Sequence, residues 1–342
     1  MTEEQAIAVQ MEHLFGPVLM PVLRDPDLTD LSINGPGAVF VERGRGKERV
    51  EAGLTPRDLE ALAVLAAKLN NADIADDCPI AHGVLPWGQR AAVVRYPAAP
   101  RGTVLFSIRN PSEETATPDE LEEQGVFDSA TSKGAPRRKG VEAAVRLYEE
   151  AERTKKWRAF LGLTHRLRWN HVWAGEMGSG KTYDMRSFLH DLPPKLRVLF
   201  LQDTDEMPRV PIEDAPKMFY VKGDQGASGV QPEDCLAIGL RMNFGYMIYQ
   251  ELRGPEAFGY LNLLASGHRG STSVHAESAE QVPDRIRLMV KSHPRGQHLA
   301  DADVLATVRR CVDVTVFCER DEETGKRRIR EVLFDPSKYG SA

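Results

Sequence analysis

The sequence predicts an α/β protein: a P-loop domain built on a parallel sheet with helices on both faces, preceded by an α+β domain and joined to it by a linker. Three observations carry that reading. From residue 171 onward, short apolar runs alternate with helix-compatible segments, the order expected of a parallel sheet. Within that half, Gly175-Glu176-Met177-Gly178-Ser179-Gly180-Lys181-Thr182 reads G-x-x-x-x-G-K-T between an apolar run and a helical one. Between Pro111 and Lys139 the apolar pattern thins into an acidic block and then a Ser, Gly, Pro and basic stretch, which separates the two halves. The expected boundaries are 1–111 for the first domain, 112–140 for the linker and 141–342 for the P-loop domain.

Residues 5 to 23 carry Ile7, Met11, Leu14, Phe15, Val18 and Leu19 at near-helical spacing, and Pro21 is expected to end this helix. With so few basic residues, its apolar face suits covering a sheet better than a membrane. Leu28 to Ile33 and Ala38 to Glu42 read as strands joined by the tight Asn34-Gly35-Pro36-Gly37 connection. Thr55 caps the next helix, Pro56 fits its first turn, Asp58 complements its dipole, and Leu59, Leu62, Ala66 and Leu69 line one face. Strands follow at Ala91 to Arg95 and Val104 to Ile108.

After the linker one helical segment is expected from Val141 to about Trp169. Its Lys155, Lys156, Trp157, Arg158, Arg166 and Arg168 read as a solvated helix face rather than a nucleic-acid surface. Next come a strand from His171 to Ala174, the glycine-rich loop, a helix to Leu189 and a strand from Arg197 to Leu201. A helix from Pro232 to Leu240, a strand from Tyr246 to Tyr249, a helix from Pro255 to Gly267 and a strand from Thr272 to Val274 continue the alternation. Val312 to Phe317 and Ile329 to Leu333 look like an antiparallel hairpin turning at Thr324-Gly325.

Composition narrows the function classes. At 342 residues, with 27% charged and 42% apolar residues, the chain is a folded protein with room for two cores. No apolar run approaches the roughly 20 residues of a spanning helix, and Glu3 and Glu4 stand where a signal peptide would be basic, so a cytoplasmic location is expected. Cys78, Cys235, Cys311 and Cys318 lack C-x-x-C spacing, which argues against a zinc site or a disulfide framework; Cys311 and Cys318 fall in or beside one strand pattern. A net charge of −6 gives no global attraction to nucleic acid or anionic lipid. No 20–50-residue repeat is visible.

The glycine-rich loop has the form of a Walker A motif. Gly175, Gly178 and Gly180 let successive N–H groups, with that of Ser179 among them, turn toward phosphate oxygens. Lys181 then reaches the terminal phosphates and Thr182 offers a hydroxyl to Mg²⁺. Two acidic strand ends come next. Gln202-Asp203-Thr204-Asp205-Glu206 closes the strand at Leu201, and Glu251 follows Tyr246-Met247-Ile248-Tyr249, where a carboxylate can hold a metal-bound water or orient the water that attacks a phosphate. Finally, Gly267-His268-Arg269-Gly270-Ser271-Thr272-Ser273-Val274-His275-Ala276 sets two histidines on either side of a short strand.

In this order the motifs resemble those of VirB11-type ATPases, the hexameric cytoplasmic motors of type IV secretion systems, within the secretion and pilus-motor superfamily. The resemblance spans most of the chain. It includes Asp25 to Gly37, Phe106-Ser107-Ile108-Arg109-Asn110-Pro111, Walker A, an Asp box at Gln202 to Glu206, Walker B at Gln250 to Ala257, a His box at Gly267 to Ala276, Leu240-Arg241-Met242 and Cys311-Val312-Asp313-Val314. It implies an N-terminal domain over a RecA-like C-terminal domain, six chains in a ring, and ATP with Mg²⁺ held between domains. Arg109, or Arg90 in Trp87-Gly88-Gln89-Arg90, would approach the γ-phosphate, and Arg253 would sense nucleotide or bridge subunits. The implied metal shell is Thr182, Asp203 and Glu251. Glu251 would orient or activate the water, Glu206 and Asp203 would support the metal shell, and His268 and His275 would relay nucleotide state. Implied partners are other copies of the chain, further secretion-machine ATPases and inner-membrane subunits, with membrane contact at most peripheral and no direct nucleic-acid binding. Three departures from the family pattern stand close to the catalytic carboxylate: Gln202 for Glu, Gln250 for Gly, and Asn243-Phe244-Gly245-Tyr246 for Arg-Pro-Asp-Arg. They keep open a competing reading, a hexamer that binds ATP, scarcely hydrolyses it and serves as a docking platform. A nucleic-acid translocase is a third reading and rests on the basic segment near Trp157 alone.

Overall fold

Thr2 opens the first helix with a reciprocal cap: its hydroxyl accepts the Gln5 N–H and the Gln5 side chain accepts the Thr2 N–H. The computed structural model, which describes residues 1–44, 46–111, 116–128, 130, 138–221 and 229–339, carries this helix, α1, over Glu3–Leu23. Pro21 does not end it. The break falls instead at Gly16, whose φ of 67° lets the chain restart with Pro17 in the first turn of a second segment. By length and composition α1 could cross a membrane, yet Ile7, Met11, Phe15, Leu19 and Leu23 are buried in the first domain's core.

The strands β1 (Leu28–Ile33), β2 (Val39–Arg43) and β3 (Gly46–Val50), the helix α2 (Pro56–Leu69), and the strands β4 (Ile80–Val84), β5 (Arg90–Arg95) and β6 (Val104–Arg109) follow. They form one antiparallel sheet in the order β3-β2-β1-β6-β5-β4. Alternate residues of its centre serve two cores. Ala91, Val93, Val104, Phe106 and Ile108 face α1 and α2, whereas Ala92, Val94 and Leu105 pack into the core of the second domain. This is why Ala91-Ala92-Val93-Val94 shows no polar alternation: both faces are covered. The two edge strands, β3 and β4, carry no pattern that marks them as strands in the sequence.

A short helix, α3 (Pro118–Glu123), lies in the stretch expected to be a linker. Glu113, Glu114 and Arg137 of that stretch lie outside the described residues. Arg138 is buried, and its guanidinium pairs with Asp313 at 2.5 Å. The long helix expected over 141–169 is two helices, α4 (Val141–Thr154) and α5 (Arg158–Arg166), because Lys155 takes a left-handed φ of 59° between them. Trp157 packs edge-on against Tyr148 and Phe160, so the aromatic of the basic segment points inward.

The second domain runs β7 (His171–Gly175), α6 (Lys181–Ser187), β8 (Val198–Gln202), β9 (Lys217–Phe219), α7 (Pro232–Gly239), β10 (Tyr246–Leu252) and α8 (Glu256–Ala265). It closes with β11 (Gly270–Val274), α9 (Val282–Ser292), α10 (Asp301–Cys311), β12 (Val314–Arg320) and β13 (Arg327–Phe334). Cys311 ends the helix that leads into β12, and Cys318 lies on β12. The sheet order is β13-β12-β7-β11-β10-β8-β9, parallel throughout except for the β12–β13 hairpin. One face packs against α7 to α10 and the other against α4, α5 and α6, as the alternation of Leu199 and Leu201 with Val198 and Phe200 records.

A polar cluster locks the domains together beside the shared apolar core. Asp214, 3% exposed, accepts from Arg197 Nη1 at 2.5 Å, from Asn34 Nδ2 at 2.9 Å and from Lys47 Nζ. Burial alone would raise the Asp214 carboxyl, but Arg197 and Lys47 hold it below the usual carboxylate range. The Phe219 N–H also donates to Ala98 O at 2.8 Å, a backbone bond between the domains.

Candidate nucleotide-binding site

The strand order decides which residues can meet. In a parallel sheet all carboxyl ends lie on one side, and ligands bind there. Gly175 ends β7, His275 follows β11, Glu251 lies near the end of β10 and Asp203 follows β8; these strands are neighbours in that order. Residues from four separate motifs are thereby gathered on one edge.

The loop after β7 needs its glycines for space as well as for backbone freedom. At Gly175, with φ 148°, an added Cβ would lie 2.2 Å from the Cys318 carbonyl oxygen; at Gly180, with φ 97°, it would lie 2.7 Å from Arg327 Cδ. Lys181 opens α6 and is buried, donating from Nζ to Gly175 O at 2.9 Å and to Glu176 O at 2.7 Å. Burial lowers its pKa, with the nearby Glu251 opposing. Ser179 Oγ is buried without a hydrogen-bond partner among the described residues, and Thr182 stands half-buried in the first turn of α6.

β10 runs past the expected end at Tyr249 to Leu252, and its register against β11 shifts between Tyr249 and Leu252. At that irregularity Gln250 is buried and Glu251 is half-buried. Glu251 Oε2 accepts from Arg253 Nη2 at 2.6 Å, and its Oε1 lies 2.9 Å from His275 Nε2. His275 Nδ1 in turn lies 3.4 Å from Lys181 Nζ. Burial would raise the Glu251 carboxyl, but Arg253, then His275 and Lys181, hold it below its usual range. Arg253 also reaches Asp203 at 3.5 Å, so it ties the Asp box to Walker B. The bond to Glu251 raises the Arg253 pKa further.

Glu206 stands apart. It is exposed on the loop after β8, and among the described residues no hydrogen bond or ion pair joins its carboxylate to this cluster. The chain turns there, with Glu206 N donating to Thr204 O at 2.8 Å. The donor chemistry that remains fits Mg²⁺: one hydroxyl from Thr182 and the carboxylates of Asp203 and Glu251, all hard oxygens. No group of three or more His, Cys, Asp or Glu side chains that could hold a metal occurs among the described residues.

Arg90, Arg109 and His268 do not meet Lys181 within this chain. His268 precedes β11 and His275 follows it, and five strand residues alone span roughly 17 Å. Arg90 and Arg109 pair across β5 and β6, and with His268, Arg241 and Asn243 they line a cavity of about 350 Å³ between the domains, at the amino ends of the parallel strands. Arg109 donates to the buried Asp30 at 3.2 and 3.3 Å and to Asn243 Oδ1 at 3.3 Å. Burial pushes the Asp30 carboxyl up, with Arg109 opposing. Within one chain these three residues therefore stand away from the phosphate loop, and sequence order does not reveal which end of the sheet a strand edge will face.

The contacts of the two glutamines are not legible in the sequence. Gln250 Oε1 accepts the Asp203 N–H at 2.9 Å, whereas the Gln202 side chain is fully buried with neither amide atom hydrogen-bonded among the described residues. The signal for Gln250 was its departure from the family pattern, which in the sequence alone looks only like a loss.

No protein-family model matches the chain. Among individual proteins, it is 32% identical over 328 residues to the type IV secretion system protein VirB11 of Brucella suis biovar 1 (strain 1330), covering 93% of this chain and 89% of that one. It is also 32% identical over 313 residues to the type IV secretion system protein PtlH of Bordetella pertussis (strain Tohama I), covering 91% of each. The crystal structure of the VirB11 ATPase from the Brucella suis type IV secretion system, solved with sulphate, superposes with a TM-score of 0.87 at 30% identity over 98% of this chain and 97% of that one. Together with the four motifs gathered at one sheet edge, these matches establish that the chain belongs to the VirB11 family of type IV secretion system ATPases.

Proposed function

We propose that this chain is a Mg²⁺-dependent ATPase that works as a cytoplasmic hexamer and turns ATP binding and hydrolysis into domain motion, powering assembly of, or substrate transfer through, a type IV secretion machine. One observation carries the reading: Lys181, His275, Glu251, Arg253 and Asp203 form an unbroken chain of contacts across four strand ends. The loop amides and Lys181 bind the phosphates, whose oxygens take the Nζ donors otherwise given to Gly175 and Glu176. Thr182, Asp203 and Glu251 would hold Mg²⁺, which neutralises phosphate charge when bound. Glu251, ionised at neutral pH and braced by Arg253 and His275, orients the attacking water. His275 touches both the phosphate-binding lysine and that carboxylate, so it is placed to relay nucleotide state.

Arg90, Arg109 and His268 serve the nucleotide of a neighbouring copy in this reading. They sit at the opposite end of the strands from their own loop, which supports a neighbouring copy bringing them to a phosphate. Other secretion ATPases and inner-membrane subunits are the proposed partners, with membrane contact at most peripheral.

The test is complementation. Lys181→Ala and Arg109→Ala are each expected to abolish phosphate release from ATP. Mixed rings contain interfaces where an intact lysine meets a neighbour's intact arginine, so mixing the two variants should restore part of the activity. Absence of recovery would refute action between copies. A wild-type protein that binds ATP and releases no phosphate would instead support the docking platform.

A further inference from the structure

Beyond Tyr249 the regular ladder between β10 and β8 has ended, since their register runs from Tyr246 opposite Val198 to Tyr249 opposite Leu201. The Asp203 N–H is therefore not held by a sheet bond. A side chain holds it: Gln250, 2% exposed, reaches across with Oε1 at 2.9 Å, while its own carbonyl accepts the Ser273 hydroxyl at 2.8 Å from β11. Gln250 is thus anchored on one side and grips the Asp box on the other. From Asp203 the path continues through Arg253 Nη1 at 3.5 Å, and from Arg253 Nη2 to Glu251 at 2.6 Å. Glu251 follows Gln250 in the chain, so the contacts close a ring.

We propose that Gln250 is a positioning residue for hydrolysis: by fixing the Asp203 backbone it fixes Arg253, and through Arg253 the orientation of the Glu251 carboxylate. Arg253 is long and about half exposed, so without a fixed Asp203 it has many rotamers and only one end tethered. Loss of geometry at a water-orienting group lowers the rate of the chemical step without weakening the phosphate grip, which Lys181 and the loop supply. The side chain of Gln202, its neighbour on β8, makes no hydrogen bond among the described residues and has no part in the ring.

The inference rests on the ATPase reading, and the experiment separates the two. Steady-state phosphate release and ATP binding are measured for the full-length wild type, Gln250→Leu, Gln250→Glu, Asp203→Ala and the Gln250→Leu/Asp203→Ala double variant. Gln250→Leu should lower kcat about tenfold or more while KM changes less than about twofold. Gln250→Glu keeps an acceptor at the same length and should recover most of that loss. The double variant should be no slower than the slower single variant, because both substitutions cut the same path. If Gln250→Leu does not fold, as judged by its thermal melt, Gln250→Met replaces it. The proposal is overturned if Gln250→Leu matches an active wild type, if the losses multiply in the double variant, or if Gln250→Glu is as slow as Gln250→Leu. A wild type that binds ATP without releasing phosphate defeats the ATPase reading instead.

Discussion

Replacing Glu251 with glutamine keeps the size of the side chain and removes one of its two acceptors, and the contacts around it determine the consequences. Arg253 Nη2 donates to Glu251 Oε2 at 2.6 Å, while Glu251 Oε1, 2.9 Å from His275 Nε2, has no hydrogen bond among the described residues. A glutamine has a single oxygen. If that oxygen meets Arg253, the guanidinium keeps a neutral acceptor and the amide NH₂ lies against the His275 ring. If it turns the other way, the NH₂ confronts the guanidinium. Either way the ion pair with Arg253 is lost, and a hydrogen bond to a charged group contributes about 1.5–3 kcal/mol in a buried setting. The Arg253 side chain is 48% exposed, so about 1 kcal/mol is the expected share here. Removing a half-buried carboxylate offsets part of it, so the melting temperature should move by no more than a few degrees. Turnover should fall by roughly 10², the cost of losing the orientation of a reacting group, with ATP binding retained. Phosphate release, binding of a fluorescent ATP analogue and the ¹⁵N shifts of His275 measure the three parts. Turnover within tenfold of wild type, or loss of binding together with activity, would refute the role given to Glu251.

Two further outcomes concern stability. Asp214→Ala leaves the buried Arg197 guanidinium unpaired at the domain junction and should cost about 3–5 kcal/mol in denaturant unfolding; a loss under about 1 kcal/mol would mean that the junction is held by its apolar core alone. His165 and His171 stack at 3.7 Å in the second core; burial drives His165 down to about 4 and His171 well below its usual value, with His165 adding to the latter. Both are neutral when folded and bind protons on unfolding, so their stability contribution is complete above about pH 6.5 and is lost as pH falls toward 4, by about 3 kcal/mol for His165 alone. A pH–stability slope between 6.5 and 4 that is unchanged in His165→Phe would assign acid lability elsewhere.

The phosphate loop was legible because glycines at fixed spacing state a backbone requirement directly: Gly175 and Gly180 have positive φ and no room for a Cβ. Glu251 and His275 were legible for a similar reason, since short motifs at strand ends carry their own context. The three strands that were missed are short or exposed. β3 reads Gly46-Lys47-Glu48-Arg49-Val50 on a sheet edge where no apolar face is needed, β9 has three residues, and β4 is the opposite edge of the first sheet. The break between α4 and α5 was hidden because a lysine, not a glycine, takes the left-handed conformation. Pairings such as Arg138 with Asp313, or Lys47 with Asp214, link residues far apart in sequence and depend on topology alone.

The electrostatics of Glu251 bear on how the proposed hydrolysis works. A carboxylate held below its ordinary range by Arg253, His275 and Lys181 is a weaker base than a free glutamate, so it gains little by abstracting a proton outright. Its gain is a fixed direction: two contacts leave its oxygens with limited freedom to aim a water. Orientation and charge stabilisation are the contributions that phosphoryl transfer most needs, because the transition state asks for little covalent help. On that logic the glutamine at position 250 strengthens the site. A residue without a side chain could not grip Asp203, whereas Gln250 adds an acceptor at the point where the sheet's own hydrogen bonds run out.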